Sequence, residues 1–193
     1  LDAGTRQGID PGILLFLWNA AGALVTISFL FTAVLFDSDR MDRFPRGLRT
    51  IFRGKRPMKL LCHLPGCARF DAEALRRLYV WLMVPLLGMV LLGIESGLQV
   101  STAGYLFESF FSALVALLPH GLVEIPAFAR AGAVPYSANL LIQRQGRDPA
   151  IRVVFRALDD HRKNLPLQKI ALAVVGGLLL AGLIEAHVTP RLM

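Results

Sequence analysis

The feature that most constrains this chain is Ile13 to Phe36, 24 consecutive residues with no ionisable side chain. A helix of that length crosses the roughly 30 Å hydrocarbon core of a bilayer. A backbone in lipid must satisfy its own N–H and C=O groups, so the run is read as a membrane helix. A secretory signal peptide is the competing reading, but only Arg6 precedes the run and no small-residue cleavage pattern follows it. Three more apolar blocks follow: Leu78 to Val100, interrupted by Glu95; Tyr105 to Leu118, interrupted by Glu108; and Ile170 to Val188, interrupted by Glu185 and His187. A fifth stretch, Gly121 to Leu141, is moderately apolar but carries Glu124, Pro126, Arg130 and Pro135. Composition agrees, with 54% hydrophobic residues and a mean hydropathy of +0.53. The sequence therefore predicts an all-α, polytopic membrane helix bundle of five helical segments, forming one integral membrane domain over residues 1–193.

The net charge is +7, and the basic residues are unevenly placed. Asp37 to Arg77 holds 11 of the 21 Lys and Arg, and Arg130 to Lys169 holds 8. Cytoplasmic loops near spans carry such an excess. If both loops are cytoplasmic, Tyr105 to Leu141 crosses once, as one helix broken at Pro119-His120-Gly121, and there are four spans. The rival arrangement makes Tyr105 to Leu118 and Gly121 to Leu141 two spans that turn at Pro119-His120-Gly121, giving five. It offends the charge rule, yet it brings His120 and Glu124 level with Glu185 at the end of the last block. The basic loops, residues 37–77 and 144–169, each contain an amphipathic segment. In the first, Leu48, Ile51 and Phe52 oppose Arg46, Arg49 and Arg53; in the second, Ile151, Val154, Phe155 and Leu158 share a face. Such segments lie on anionic lipid or pack on a partner protein. Nucleic acid is not an expected partner, because no aromatic platform or binding motif accompanies the charge.

Within the apolar sequence, LLPHGLVEIPAFARAG stands out, Leu117 to Gly132. His120 and Glu124 are spaced i, i+4 and share one face of a helix. Pro119, Gly121 and Pro126 loosen a helix there and free carbonyls that hydrocarbon cannot solvate, so a helix break at Pro119–Gly121 is expected. Ionisable residues inside a membrane are expensive and mark relays, pathways or sites. The partners on offer outside the loops are Glu95, Glu108, Glu185, His187, Arg130 and Asn19, with Glu95 and His187 expected to reach water. Three readings stay open. His120, Glu124 and Glu185, with Asn19, form a polar network that locks the helices. Alternatively His120, Glu124 and Glu185 ligate a metal, the donor set suiting Zn²⁺ or Fe²⁺. In the third, they carry protons or bind substrate, as transporters do at helix breaks. Small residues at Gly93 and Gly97, and at Gly176, Gly177 and Ala181, favour close helix packing and suit a homo-oligomer. Cys62 and Cys67, in CHLPGC, fall short of the four ligands of a structural zinc site and read as ordinary loop cysteines ahead of a thiol pair or disulfide.

LLPHGLVEIPA followed by an Ala/Gly pair, and a final apolar block ending LIEAHVTP, resemble the stage II sporulation protein M family of multi-pass membrane proteins. That family carries a PHGxxE signature and a late signature of Ile-Glu followed by a small residue and a closing Pro. The Asn of FLWNAAG is similar to the Asn of the family's first span. The resemblance covers Phe107 to Pro190 well and Ile13 to Phe36 weakly, and marks Pro119, His120, Gly121, Glu124, Pro126, Glu185 and Pro190 as signature positions. It implies the five-segment layout in a prokaryotic cell membrane. It also implies a non-enzymatic role in organising or anchoring a membrane protein complex, the sporulation member being a scaffold for cell-wall hydrolases. A transport subunit, or a metal-dependent intramembrane enzyme using His120, Glu124 and Glu185, is the alternative.

Overall fold

The computed structural model of the protein describes residues 10–33, 36, 63, 66–106, 109–145 and 150–189. Among these, five α-helices occur, with no strand: α1 (Pro11–Ala33), α2 (Glu73–Leu106), α3 (Phe110–Arg144), α4 (Ile151–Asn164) and α5 (Leu167–His187), with a 3₁₀ turn at Cys67–Arg69 before α2. Helices α1, α2 and α5 are long and apolar enough to cross a membrane. The amphipathic segment at Leu48 to Arg53 and Glu108 lie outside the described residues.

The expected break at Pro119–Gly121 does not form. Helix α3 runs without interruption from Phe110 to Arg144 through Pro119, Gly121, Pro126 and Pro135. A proline inside a helix removes one N–H donor and strands one carbonyl, and in apolar helices neighbouring groups take up the freed carbonyl. The break falls earlier: α2 ends at Leu106 and α3 begins at Phe110. Five helical segments are present, but divided differently from the sequence reading. Two of the expected apolar blocks merge into α3, and the amphipathic α4 is a helix of its own.

The chain forms two compact units, one of residues 1–26, 88–132 and 168–193, the other of 27–87 and 133–167. The second unit packs Leu30, Phe70, Leu75, Leu78, Leu82, Ile142, Val154 and Leu158 into its core. Trp81 stacks on Phe29, ring centroids 4.6 Å apart, and its indole Nε1 donates to Thr32 Oγ1 at 2.9 Å. Helix α4 buries Val154, Phe155 and Leu158. Ile151, expected on the same face, is exposed in its first turn. Arg152, Arg156 and Lys163 point outward. Asp159 pairs with Arg162 at 2.6 Å and Lys163 at 2.8 Å, and the basic last turn suits the negative end of the helix dipole. Pro166 stops α4: Leu165 before it is extended, at φ −74° and ψ 132°, as a residue preceding proline prefers.

The cysteine expectation is corrected. Cys67 is fully buried and disulfide-bonded; Cys62 lies outside the described residues. Gly66 before Cys67 has φ 97°, and a Cβ there would meet Tyr79 Oη at 2.6 Å. Only glycine suits a left-handed backbone pressed against a phenol.

In the first unit α5 packs against both α1 and α3. A Cβ on Gly182 would come within 2.7 Å of the Gly12 carbonyl oxygen, and one on Gly12 within 2.8 Å of the Gly182 oxygen, so the two backbones touch. Against α3, Gly177 meets the Cβ of Ala127 at 3.4 Å. Of the small residues singled out in the sequence, Gly177 and the buried Ala181 therefore take part in packing, whereas Gly93, Gly97 and Gly176 have nothing within 4 Å of an added Cβ. The closest approach, Gly12 to Gly182, was not among them.

Candidate functional site

The site is built from two i, i+4 pairs on adjacent helices, completed by one side chain from a third. Helix α3 supplies His120 and Glu124, one turn apart on a single face. The end of α5 supplies Glu185, with Thr189 one turn beyond it. The two helices run antiparallel, because His120 meets Thr189 while Val123 and Ala127 meet Gly177. Ligand atoms of His120, Glu124 and Glu185 lie within 4.8 Å of one another.

His120 is 8% exposed and Thr189 4%. The Thr189 hydroxyl lies 3.4 Å from His120 Nδ1, at the outer limit of hydrogen bonding. From α1, Asn19 Nδ2 donates to Glu124 Oε1 at 2.7 Å. That bond fixes one carboxylate oxygen and sets the rotamer of Glu124. Glu185 is only partly buried, and among the described residues no side chain donates a hydrogen bond to it. Two carboxylates within 4.8 Å repel by roughly 3–4 kcal/mol at an effective dielectric of ~20. A proton or a cation between them relieves that repulsion.

The remaining sequence candidates lie elsewhere. His187 Nε2 sits 3.1 Å from Asp10 Oδ2, both partly exposed. Asp10 also caps α1, its Oδ1 accepting from the Gly12 N–H at 2.8 Å. Glu95 and Arg130 are exposed. Pro119 and Gly121 are half-buried and Pro126 is exposed, all within continuous helix. Thr189 was missed by sequence reasoning. The signal that could have found it is its spacing, four residues after Glu185, which repeats that of His120 and Glu124 and places it on the same face of the chain's last turns.

The depth argument for a hairpin held that a single crossing leaves Glu124 and Glu185 well apart, yet with α3 continuous their ligand atoms lie within 4.8 Å of each other. Phe110 to Leu118 does not sit beside α5. The antiparallel pairing puts His120 level with Thr189, so the ten residues from Phe110 to Pro119 run on past the last turn of α5. Glu124 reaches the level of Glu185 without any turn at Pro119–Gly121.

A model of the Stage II sporulation protein M family matches residues 74–190. The matched segment contains both i, i+4 pairs; Asn19 lies outside it. Comparison with the curated proteins and with the solved structures finds no match.

Proposed function

The chain belongs to the Stage II sporulation protein M family, and from that membership we propose a non-enzymatic, multi-pass membrane protein that organises or anchors a membrane protein complex. The observation that carries this reading is on α2. Every residue from Val90 to Leu98 is exposed. Val90, Leu91, Leu92, Ile94 and Leu98 are each more than half exposed, so this part of the helix has no side packed on the described residues. Gly93 and Gly97 lie one turn apart there, with open space around both, the spacing that lets another helix approach closely. A partner helix seated along this stretch covers the apolar surface and offers Glu95 a polar neighbour.

In this reading the protein is one integral membrane domain of four spans, α1, α2, α3 and α5. The continuity of α3 supports the single crossing. Four spans place the two basic segments on the same side of the membrane. There Arg152, Arg156 and Lys163 on α4 face lipid headgroups or a peripheral partner, and Asn19 to Glu124 ties α1 to α3 internally.

A photo-crosslinking residue at Ile94 in the native membrane tests the proposal, with Leu172, exposed on α5, as the control. The expected outcome is a protein adduct of discrete mass from Ile94 that disappears when Gly93 and Gly97 are both changed to leucine. Lipid adducts alone at Ile94, as at Leu172, would remove the reading. An adduct of twice the chain mass would identify the partner as a second copy.

A further inference from the structure

We propose that His120, Glu124 and Glu185 together hold one divalent transition-metal ion of the Zn²⁺ class. The inference goes beyond the complex-organising role and does not depend on it.

The donor set is one imidazole and two carboxylates, ligand types that Zn²⁺ and its first-row neighbours accept, and three protein ligands leave an open position. Mg²⁺ and Ca²⁺ are poorer fits, because they favour all-oxygen shells of six or more ligands. The three ligand atoms already lie within 4.8 Å of one another. A tetrahedral ion with bonds near 2.1 Å holds its ligands about 3.4 Å apart, so side-chain rotations suffice to close the shell. Both ligand-bearing stretches are helical, and helices position ligands more precisely than loops.

The surroundings separate an ion site from a simple polar lock. A lock satisfies its members with hydrogen bonds. Here Glu124 is oriented by Asn19, but Glu185 receives no hydrogen bond from any described residue and faces the Glu124 carboxylate instead. What the pair lacks is positive charge. The Asn19 amide and the Thr189 hydroxyl stand where outer-shell groups of a metal site stand, each touching a ligand residue and neither belonging to the three. Their role is positioning.

The test uses the full chain in mild detergent, purified without a metal-affinity tag, stripped with chelator and titrated with ZnCl₂ by calorimetry. One Zn²⁺ per chain is expected. Glu124→Gln, Glu185→Gln and His120→Gln should each weaken binding about 100-fold or more, and Asn19→Ala about 10- to 100-fold. His187→Gln, at the exposed pair with Asp10, should leave the affinity unchanged. Circular dichroism of each variant separates loss of a ligand from loss of the fold, and the two Glu→Gln changes are near-isosteric. Replacing Zn²⁺ by Co²⁺ should give visible ligand-field bands that vanish in Glu185→Gln. No saturable binding by the folded wild type would overturn the proposal. So would binding that survives the His120 and Glu185 substitutions, or binding lost equally in His187→Gln.

Discussion

At the scale of single residues, the cluster and the packing contact beside it obey different rules. His120 and Glu124 were legible in the sequence because ionisable groups in an apolar run are conspicuous, and because an i, i+4 spacing fixes their common face. Glu185 was legible for the first of these reasons alone. Asn19 was read as part of the same network, but that Glu124 is its acceptor was not legible: it depends on how α1 sits against α3, and no local pattern encodes that. Gly182 was hidden for a related reason. It lies among many small residues, and only the position of Gly12 on another helix makes it the crowded one. Gly182→Ala would force a Cβ to within 2.7 Å of the Gly12 carbonyl oxygen. The expected cost is about 1–3 kcal/mol, as for other overpacking changes. It should appear as a lower melting temperature, whereas Gly176→Ala, into open space, should show no loss.

Among the helices, the misread element was α3. Proline and glycine in PHG are helix breakers in water, and the sequence reading carried that rule into an apolar segment. The helix instead continues for 35 residues, about 52 Å at 1.5 Å per residue. Gly121 has ordinary helical geometry, with only Ile125 Cδ1, at 4.0 Å, near an added Cβ. Gly121→Ala is therefore expected to be neutral or stabilising by up to ~1 kcal/mol, the helix-propensity difference between the two residues. A thermal melt followed by circular dichroism checks this. A fall in stability would mean that the backbone at Gly121 needs glycine after all. The amphipathic α4 was read correctly as to face, apart from Ile151. The face follows from periodicity, whereas the exposure of a first-turn residue depends on what the preceding chain covers.

For the molecule as a whole, membrane character was the most legible property, since it rests on lengths and composition that no tertiary contact can change. The path of the chain through the bilayer was less so, because charge and depth pulled the sequence reading in opposite directions. If the proposed four-span arrangement holds, cysteines introduced singly at the exposed Ala68 and Ala150 should react with a membrane-impermeant maleimide from the same side of sealed vesicles. Labelling from opposite sides would restore a fifth crossing. The side itself carries further information. Cytoplasmic sidedness follows from the Lys and Arg excess, whereas the disulfide at Cys67 belongs to an oxidising compartment, and the labelling decides between them.

The cluster lies close to a helix end, with Glu185 two residues before the end of α5. Two residues of helix rise amount to about 3 Å, a tenth of the hydrocarbon thickness. If α5 crosses the bilayer, as its length and composition allow, and the site proposed above binds an ion, occupancy is expected to follow the solution on the side where α5 ends and to re-equilibrate when that solution changes, the other side being separated by almost the whole length of α5.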